Sequence, residues 1–188
     1  MKAIYFVPLA ALLALQGCAP VVVATGAGVV AMSATDRRTT GIQVEDQTIE
    51  LKASNAISSK LGDQVHINVT SFNRNVLLTG EAPSEALRAE VERIASGVEN
   101  VRLVTNEVAV AGISSYGSRS NDTYITSKVK ARFVDAGKFS PNHVKVVTEN
   151  GVVYLMGLVT RAEAEQATEI ARTTGGVRKV VKVFEYID

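Results

Sequence analysis

The chain of 188 residues carries 20 lysine and arginine residues against 19 aspartate and glutamate residues, and 46% of its residues are hydrophobic. This near-neutral composition excludes an acidic disordered chain and a protein whose whole surface binds nucleic acid. One cysteine excludes an internal disulfide framework, and two histidines leave little for a metal cluster. We therefore expect a globular protein without a metal, a cofactor or a nucleic-acid partner.

Residues 1–17 predict a lipoprotein signal peptide. Lys2 gives a positive start, an uncharged apolar run covers residues 4–15, and Leu-Gln-Gly precedes Cys18. The run is too short to span a bilayer, so we expect it to be removed after export. Its end resembles the lipobox of bacterial lipoproteins, which implies cleavage before Cys18 and lipid attachment (palmitate-type acylation) at that residue. An ordinary signal peptide with a chance cysteine is the alternative.

Residues 18–45 predict a lipidated apolar tether. Residues 19–35 are uncharged and rich in Val, Ala and Gly. The lipobox resemblance implies sorting to the outer membrane, on the periplasmic side, because Ala19 stands where retention in the inner membrane favours Asp. Arg37 and Arg38 follow this uncharged run, and two interpretations are open: contact with anionic headgroups, or a solvated turn before Gly41.

An internal duplication begins at residue 46. The sequence around Asp46 recurs around Asp122, and later matches keep an offset between 76 and 79 residues. This spacing predicts two small tandem domains, over residues 46–110 and 121–188, with a Gly- and Ser-containing linker over 111–120.

Both copies predict the order helix, strand, strand, helix, strand. In the second copy, Asn121 or Asp122 is expected to cap the first helix, Asn150-Gly151 indicates a tight hairpin, and Thr160 with Glu163 forms a capping box. The fold class is thus α+β, with two αββαβ units, each a mixed three-stranded sheet with helices on one face. Because domains of about 65 residues bury only about 60% of the surface that the unfolded chain exposes, we expect the two to pack together or on a partner.

These motifs resemble the BON domain, and two copies behind a lipobox resemble the dual BON-domain lipoproteins of the outer membrane. The resemblance covers nearly all of the mature chain. It implies binding of anionic phospholipid of the phosphatidylglycerol type at the inner leaflet of the outer membrane. It further implies support of outer-membrane integrity, localisation to division sites, and an influence on the β-barrel assembly machinery.

The first helix of the second copy is the candidate lipid-binding site. Residues 46–110 carry six basic and nine acidic side chains, net −3, whereas residues 121–188 carry ten and eight, net +2. Tyr124, Lys128 and Arg132 recur every four residues and place a ring beside two cations. The resemblance implies that this helix faces lipid, although the family usually has Trp at the position of Tyr124. The predicted phospholipid-binding residues are Tyr124, Ser127, Lys128, Ala131 and Arg132.

Other interpretations stay open. Tyr124 could be a partly buried core ring with Lys128 and Arg132 on a solvated face. His66 and His143 are expected to be satisfied surface side chains, and the glutamates of the second helices, Glu163 among them, to be solvated. An enzyme is not expected, since no nucleophile is paired with a base. The rival function is a periplasmic adaptor that binds an envelope assembly factor through the same helix surface or through an exposed edge of either sheet.

Overall fold

The structure, a computed structural model, describes residues 36–112 and 116–188. The predicted signal peptide, Cys18 and residues 19–35 of the tether lie outside the described residues. The described part of the tether, residues 36–45, includes the start of a helix at Thr40. The side chains of residues 116–119 are also outside them.

The first unit follows the predicted order of elements. Its helices are α1 (Thr40–Leu61) and α2 (Glu85–Ser96), and its strands are β1 (His66–Phe72), β2 (Asn75–Ala82), β3 (Leu103–Asn106) and β4 (Ala109–Val110). Strand β2 lies at the centre, antiparallel to β1 and parallel to both β3 and β4. The predicted closing strand is therefore present in two short pieces on one side of β2.

The second unit repeats this arrangement. Its helices are α3 (Tyr116–Ala136) and α4 (Arg161–Arg172), and its strands are β5 (Val144–Glu149), β6 (Val152–Val159) and β7 (Lys179–Tyr186). Strand β6 is central, antiparallel to β5 and parallel to β7. The predicted α+β class and mixed sheets are confirmed. The capping box of α4 is also confirmed, with Thr160 Oγ1 accepting from the Glu163 N–H and Glu163 accepting from the Thr160 N–H.

The predicted cap at Asn121 or Asp122 is wrong. Helix α3 begins at Tyr116, inside the segment expected to be a linker, so Asp122 lies within the helix and is buried. Its carboxylate accepts the N–H groups of Asn150 and Gly151, both at 2.8 Å, and so holds the turn of the β5–β6 hairpin. Both turn residues have positive φ, the conformation that a two-residue turn of this hand requires.

Each sheet buries both of its faces. In β2, Val76 and Leu78 pack with α1 and α2, while Leu77 between them points to the opposite face. In β6, Val153 and Leu155 pack with α3 and α4, while Tyr154 points away. Side chains alternate across a strand, so the near-continuous apolar runs of β2 and β6 serve two cores at once.

The two sheets pack against each other through the faces that the helices leave uncovered. We call this contact the seam. Its apolar centre consists of Phe72, Leu77, Tyr154 and Met156, all buried. Polar pairs surround it, among them Asn68 with Glu149 at 2.8 Å and Asn150 with Glu81 at 2.9 Å. The expectation that two such small domains pack together is confirmed.

Candidate functional site

Helix α3 presents two different faces. Ile125, Val129 and Phe133 are at most 1% exposed and join the core of the second unit, as the four-residue spacing predicts. The opposite face is open to solvent. The core contacts thus fix which side chains of α3 a ligand can reach.

An exposed stripe runs along that open face at spacings of three, four and three residues, and comprises Tyr124, Ser127, Ala131 and Val134. Tyr124 is 63% exposed and Val134 is 65% exposed. The alternative of Tyr124 as a core ring is therefore wrong. Three of the predicted binding residues, Tyr124, Ser127 and Ala131, lie together on this stripe. The side chains of Tyr124 and Val134 are both exposed to solvent there.

The two predicted cations flank the stripe and are already engaged. Lys128 Nζ donates to the Gly175 carbonyl at 2.8 Å. Arg132 donates to the Ile170 carbonyl at 2.8 Å and to the Thr174 hydroxyl at 2.7 Å. These oxygens lie at and just beyond the C-terminal end of α4, where carbonyls lack partners within the helix and attract cations. Both side chains thus help to close α4, a structural role that the sequence did not predict.

The charge of Lys128 still lies beside the exposed ring. Lys128 Nζ is 5.3 Å from the centroid of Tyr124, within the range of a cation–π contact. In the first unit the matching positions are Thr48, Lys52 and Ala56, and Lys52 pairs with Glu99 at 3.2 Å. An exposed aromatic ring with one cation beside it, and a second cation one helical turn further on, is thus a property of the second unit, in line with its net charge.

Sequence reasoning missed Val134 as a surface residue. The four-residue spacing assigns Ile125, Val129 and Phe133 to the core and makes no prediction for Val134, which directly follows the buried Phe133. The signal that could have found it is the 3-4-3 spacing from Tyr124 through Ser127 and Ala131, which keeps side chains on one face of a helix.

Arg37 and Arg38 both pair with carboxylates. The Arg37 guanidinium binds Glu163 in a bidentate manner, at 2.6 and 3.0 Å, and Arg38 binds Asp36 and Asp46, each at 2.8 Å. Arg38 is therefore not solvated, because its side chain is only 13% exposed, whereas Arg37 stays partly exposed in a bend before α1. Contact of these arginines with headgroups stays a prediction. Glu163, paired with Arg37, is not a solvated carboxylate, contrary to expectation.

The histidines also differ from expectation. His143 Nδ1 lies 3.1 Å from Glu163 Oε1, and His66 Nε2 is buried without a hydrogen-bond partner among the described residues. Over residues 36–112 and 116–188, no cluster of three His, Cys, Asp or Glu side chains could hold a metal ion. Within the same ranges, no helix combines the length and hydropathy needed to cross a bilayer.

Comparisons with known proteins match this architecture. The BON domain family matches residues 45–112 and again 121–188. The chain is 40% identical to the outer membrane lipoprotein DolP of Haemophilus influenzae, over 96% of this chain and 94% of that protein. It is 35% identical to a 21 kDa hemolysin of Actinobacillus pleuropneumoniae, over 81% of this chain and 79% of the hemolysin. It is also 35% identical to the osmotically-inducible protein Y of Escherichia coli, over 61% of this chain and 58% of that protein.

Proposed function

This chain belongs to the BON domain family, and we propose that it binds anionic phospholipid through the exposed stripe of α3. It is a lipid-anchored protein of the outer membrane, as its similarity to the outer membrane lipoprotein of Haemophilus supports, and we place it on the periplasmic face. Cys18 carries the anchor. The proposed role is non-enzymatic.

The observation that carries this proposal is the exposure of Tyr124, 63%, on a helix whose other face is locked into a core. A tyrosine ring has an apolar body and a polar tip, so it suits the boundary between headgroups and acyl chains. Val134 adds a second apolar contact, 65% exposed, at the other end of the stripe. Burying both side chains in that boundary removes apolar area from water.

Electrostatics favours anionic lipid. Lys128 and Arg132 flank the stripe, and each cation held near an anionic surface contributes about 1 kcal/mol. Their hydrogen bonds to α4 fix the charges in place without cancelling them, because their partners are carbonyl and hydroxyl oxygens rather than carboxylates. Ser127 and Ala131 are small, so headgroups can approach the backbone of the helix between the two ends of the stripe.

Attachment would then occur at two points. The acyl chains at Cys18 hold the chain to the leaflet, and tethering raises the local concentration of lipid at α3, so even a weak second contact is occupied. Docking of this kind would orient the domain pair on the inner leaflet of the outer membrane. Support of membrane integrity and localisation at division sites would follow from where such docking is favoured.

The test is sedimentation of the unacylated chain with vesicles, using the double variant Ser127→Glu/Ala131→Glu. These substitutions put two negative charges on the stripe and leave the Lys128 and Arg132 contacts intact. The matched control is Ser54→Glu/Ala89→Glu, which changes the same residue types at exposed helix positions of the first unit. Both proteins acquire the same net charge.

We expect binding to vesicles that contain phosphatidylglycerol, no binding to neutral vesicles, and a loss that grows with ionic strength. Ser127→Glu/Ala131→Glu should lower binding at least tenfold, while the control should lower it less than twofold. Equal losses in the two variants would assign any binding to net charge alone. No binding of the wild type at low salt would overturn the proposal.

A second candidate is a periplasmic adaptor for an envelope factor such as the β-barrel assembly machinery. The observation that favours it is β7, an eight-residue strand that pairs along one side with β6. Exposed Lys179 and Lys182 oppose the addition of another strand, because charged side chains protect sheet edges. Binding to an assembly factor that is unchanged by salt and by the stripe variant would favour the adaptor.

A further inference from the structure

The segment where the described chain begins contacts both domains. Asp36, Arg37 and Arg38 directly follow the uncharged part of the tether, residues 19–35, and the two consecutive arginines contact different domains. Arg38 is held by the first unit and Arg37 by the second. We call these three residues the latch.

The contact with the first unit involves a nearly buried guanidinium. Arg38 binds Asp36 and Asp46, each at 2.8 Å, and its central carbon lies 3.8 Å from the centroid of Phe72. The Arg38 side chain is 13% exposed and that of Asp46 is 3% exposed. A buried charge of this kind is costly unless it is fully paired, so each partner depends on the other.

The contact with the second unit is equally specific. Arg37 forms two hydrogen bonds to the Glu163 carboxylate and a third to the Leu158 carbonyl at 2.7 Å. Glu163 also accepts from the Thr160 N–H and contacts His143. Burial by itself would raise the pKa of Glu163, but the hydrogen bonds from Arg37, Thr160 and His143 together lower it to about 2. The carboxylate therefore stays charged wherever the domains are folded near neutral pH.

The latch lies beside the candidate lipid-binding helix. A groove between α1 and α3 is lined by Asp36 and Arg38 on one side and by Lys130, Phe133 and Val134 on the other. Val134 is also the last residue of the exposed stripe. The chain thus enters the domain pair next to one end of that stripe.

We propose that Arg37 and Arg38 are positioning residues, which fix the tether to both domains so that the stripe of α3 faces the same membrane as the anchor. This proposal rests on the proposed function. The latch holds residues 36–38 on the domain pair, so the tether leaves from a fixed point beside Val134. Without it, the chain is held only from the start of α1 at Thr40, and α3 can turn further relative to the anchor. Anchoring raises the effective concentration of lipid at the stripe only when the geometry lets both contacts form together.

The experiment exploits two features of the composition. The chain has one cysteine, so Cys18 can be coupled to a maleimide lipid in phosphatidylglycerol vesicles, and it has no tryptophan, so Tyr124→Trp gives a single fluorescent reporter on the stripe. Emission is recorded for coupled protein and for free protein added to the same vesicles. The latch variant is Arg37→Ala/Arg38→Ala, and the charge-matched control is Arg93→Ala/Arg172→Ala, whose ion pairs lie within α2 and α4.

We expect the latch variant to lose at least half of the docked fraction when coupled, and to bind as the control does when free. Glu163→Gln provides a second variant with an opposite electrostatic expectation. It preserves the capping box and removes a negative charge, so charge alone predicts stronger docking, whereas loss of the latch predicts weaker docking of the coupled protein.

The outcomes separate the two proposals. Normal docking of coupled latch variants, with wild-type docking present, overturns the positioning role and leaves lipid binding intact. Absence of docking in the free and the coupled wild type overturns lipid binding and the positioning role together. Stronger docking of coupled Glu163→Gln overturns the latch in favour of simple charge.

Discussion

Asp46 and Asp122 occupy equivalent positions in the two repeats, and each holds the hairpin turn of its own domain through two backbone N–H groups. Asp46 accepts from Asn73 and Arg74 at 2.8 and 2.7 Å, and Asp122 accepts from Asn150 and Gly151. Both carboxylates are at least 95% buried. The first helix and the hairpin of each unit are therefore joined by one acidic side chain.

Replacing either aspartate by asparagine should destabilise the protein. The amide keeps the shape but offers one acceptor oxygen, so one turn N–H loses its partner in a buried place, at a cost of about 2 to 3 kcal/mol. Asp46→Asn should cost more than Asp122→Asn, because Asp46 also binds Arg38 and Ser71. Urea unfolding gives both values, and exposed Asp135→Asn on α3 is the control. An equal and small effect of all three variants would contradict this role.

Two equivalent glycines lie where the central strands pass the start of each hairpin. A Cβ atom built on Gly157 would lie 2.3 Å from the His143 carbonyl oxygen, and one built on Gly80 would lie 2.0 Å from that of His66. Backbone atoms cannot move aside as a flexible side chain can. The second glycine of the pair, Gly157, has no left-handed φ, so steric contact alone requires it.

Gly157→Ala should therefore lower the free energy of unfolding by about 2 kcal/mol or more, through backbone displacement in β5 and β6. Gly80→Ala should cost more, because Gly80 also has a φ of 113°. Thermal unfolding measures both, with Gly112→Ala as the control, since open space surrounds its Cβ position. A wild-type melting temperature for Gly157→Ala would show that β5 shifts freely.

The sequence predicts the elements of this fold better than their tertiary partners. The hairpin, the capping box and the buried face of α3 follow from local spacing, because Ile125, Val129 and Phe133 repeat with the helical period. The role of Asp122 does not follow from local spacing. A polar residue before an apolar run indicates a helix cap, and only the folded structure shows that Asp122 binds the hairpin turn at Asn150 and Gly151.

The same limit applies to the candidate site. The exposure of Tyr124 agrees with its place beside the core face, whereas the hydrogen bonds of Lys128 and Arg132 to the end of α4 depend on how two helices about 40 residues apart in sequence meet. The seam was likewise expected only in general terms. Leu77 and Tyr154 alternate with residues of the helix-covered cores, and the sequence does not show that a second sheet buries them.

The ion pair of the latch should make the free energy of unfolding fall as the pH decreases. The pKa of Glu163 is lowered from 4.5 to about 2, so its contribution is complete above the ordinary pKa and is lost as the pH falls from there towards about 2. The destabilisation caused by Glu163→Gln should thus be largest near neutral pH and vanish in strong acid. Urea titrations of wild type and variant across this range test it, with exposed Glu165→Gln as the control. A difference that is independent of pH would exclude the ion pair as its cause.

Glu149 at the seam should show the opposite dependence. Burial raises its pKa, the amide of Asn68 opposes this, nearby Glu81 and Asp122 raise it further, and His66 lowers it. The folded state therefore retains the proton to a higher pH than the unfolded chain, and stability is lost as the pH rises from the ordinary value through the raised one.

Glu149→Gln should consequently be more stable than wild type near neutral pH. The neutral amide can still accept from Asn68, and its N–H groups can reach towards the buried Glu81, whose Oε2 has no partner among the described residues. The gain should disappear below the ordinary pKa of glutamate, where the wild-type side chain is itself neutral. Paired urea titrations at neutral and acidic pH, with Glu165→Gln alongside, measure this. Destabilisation at neutral pH would instead show that the seam needs the charge of Glu149 to hold Asn68.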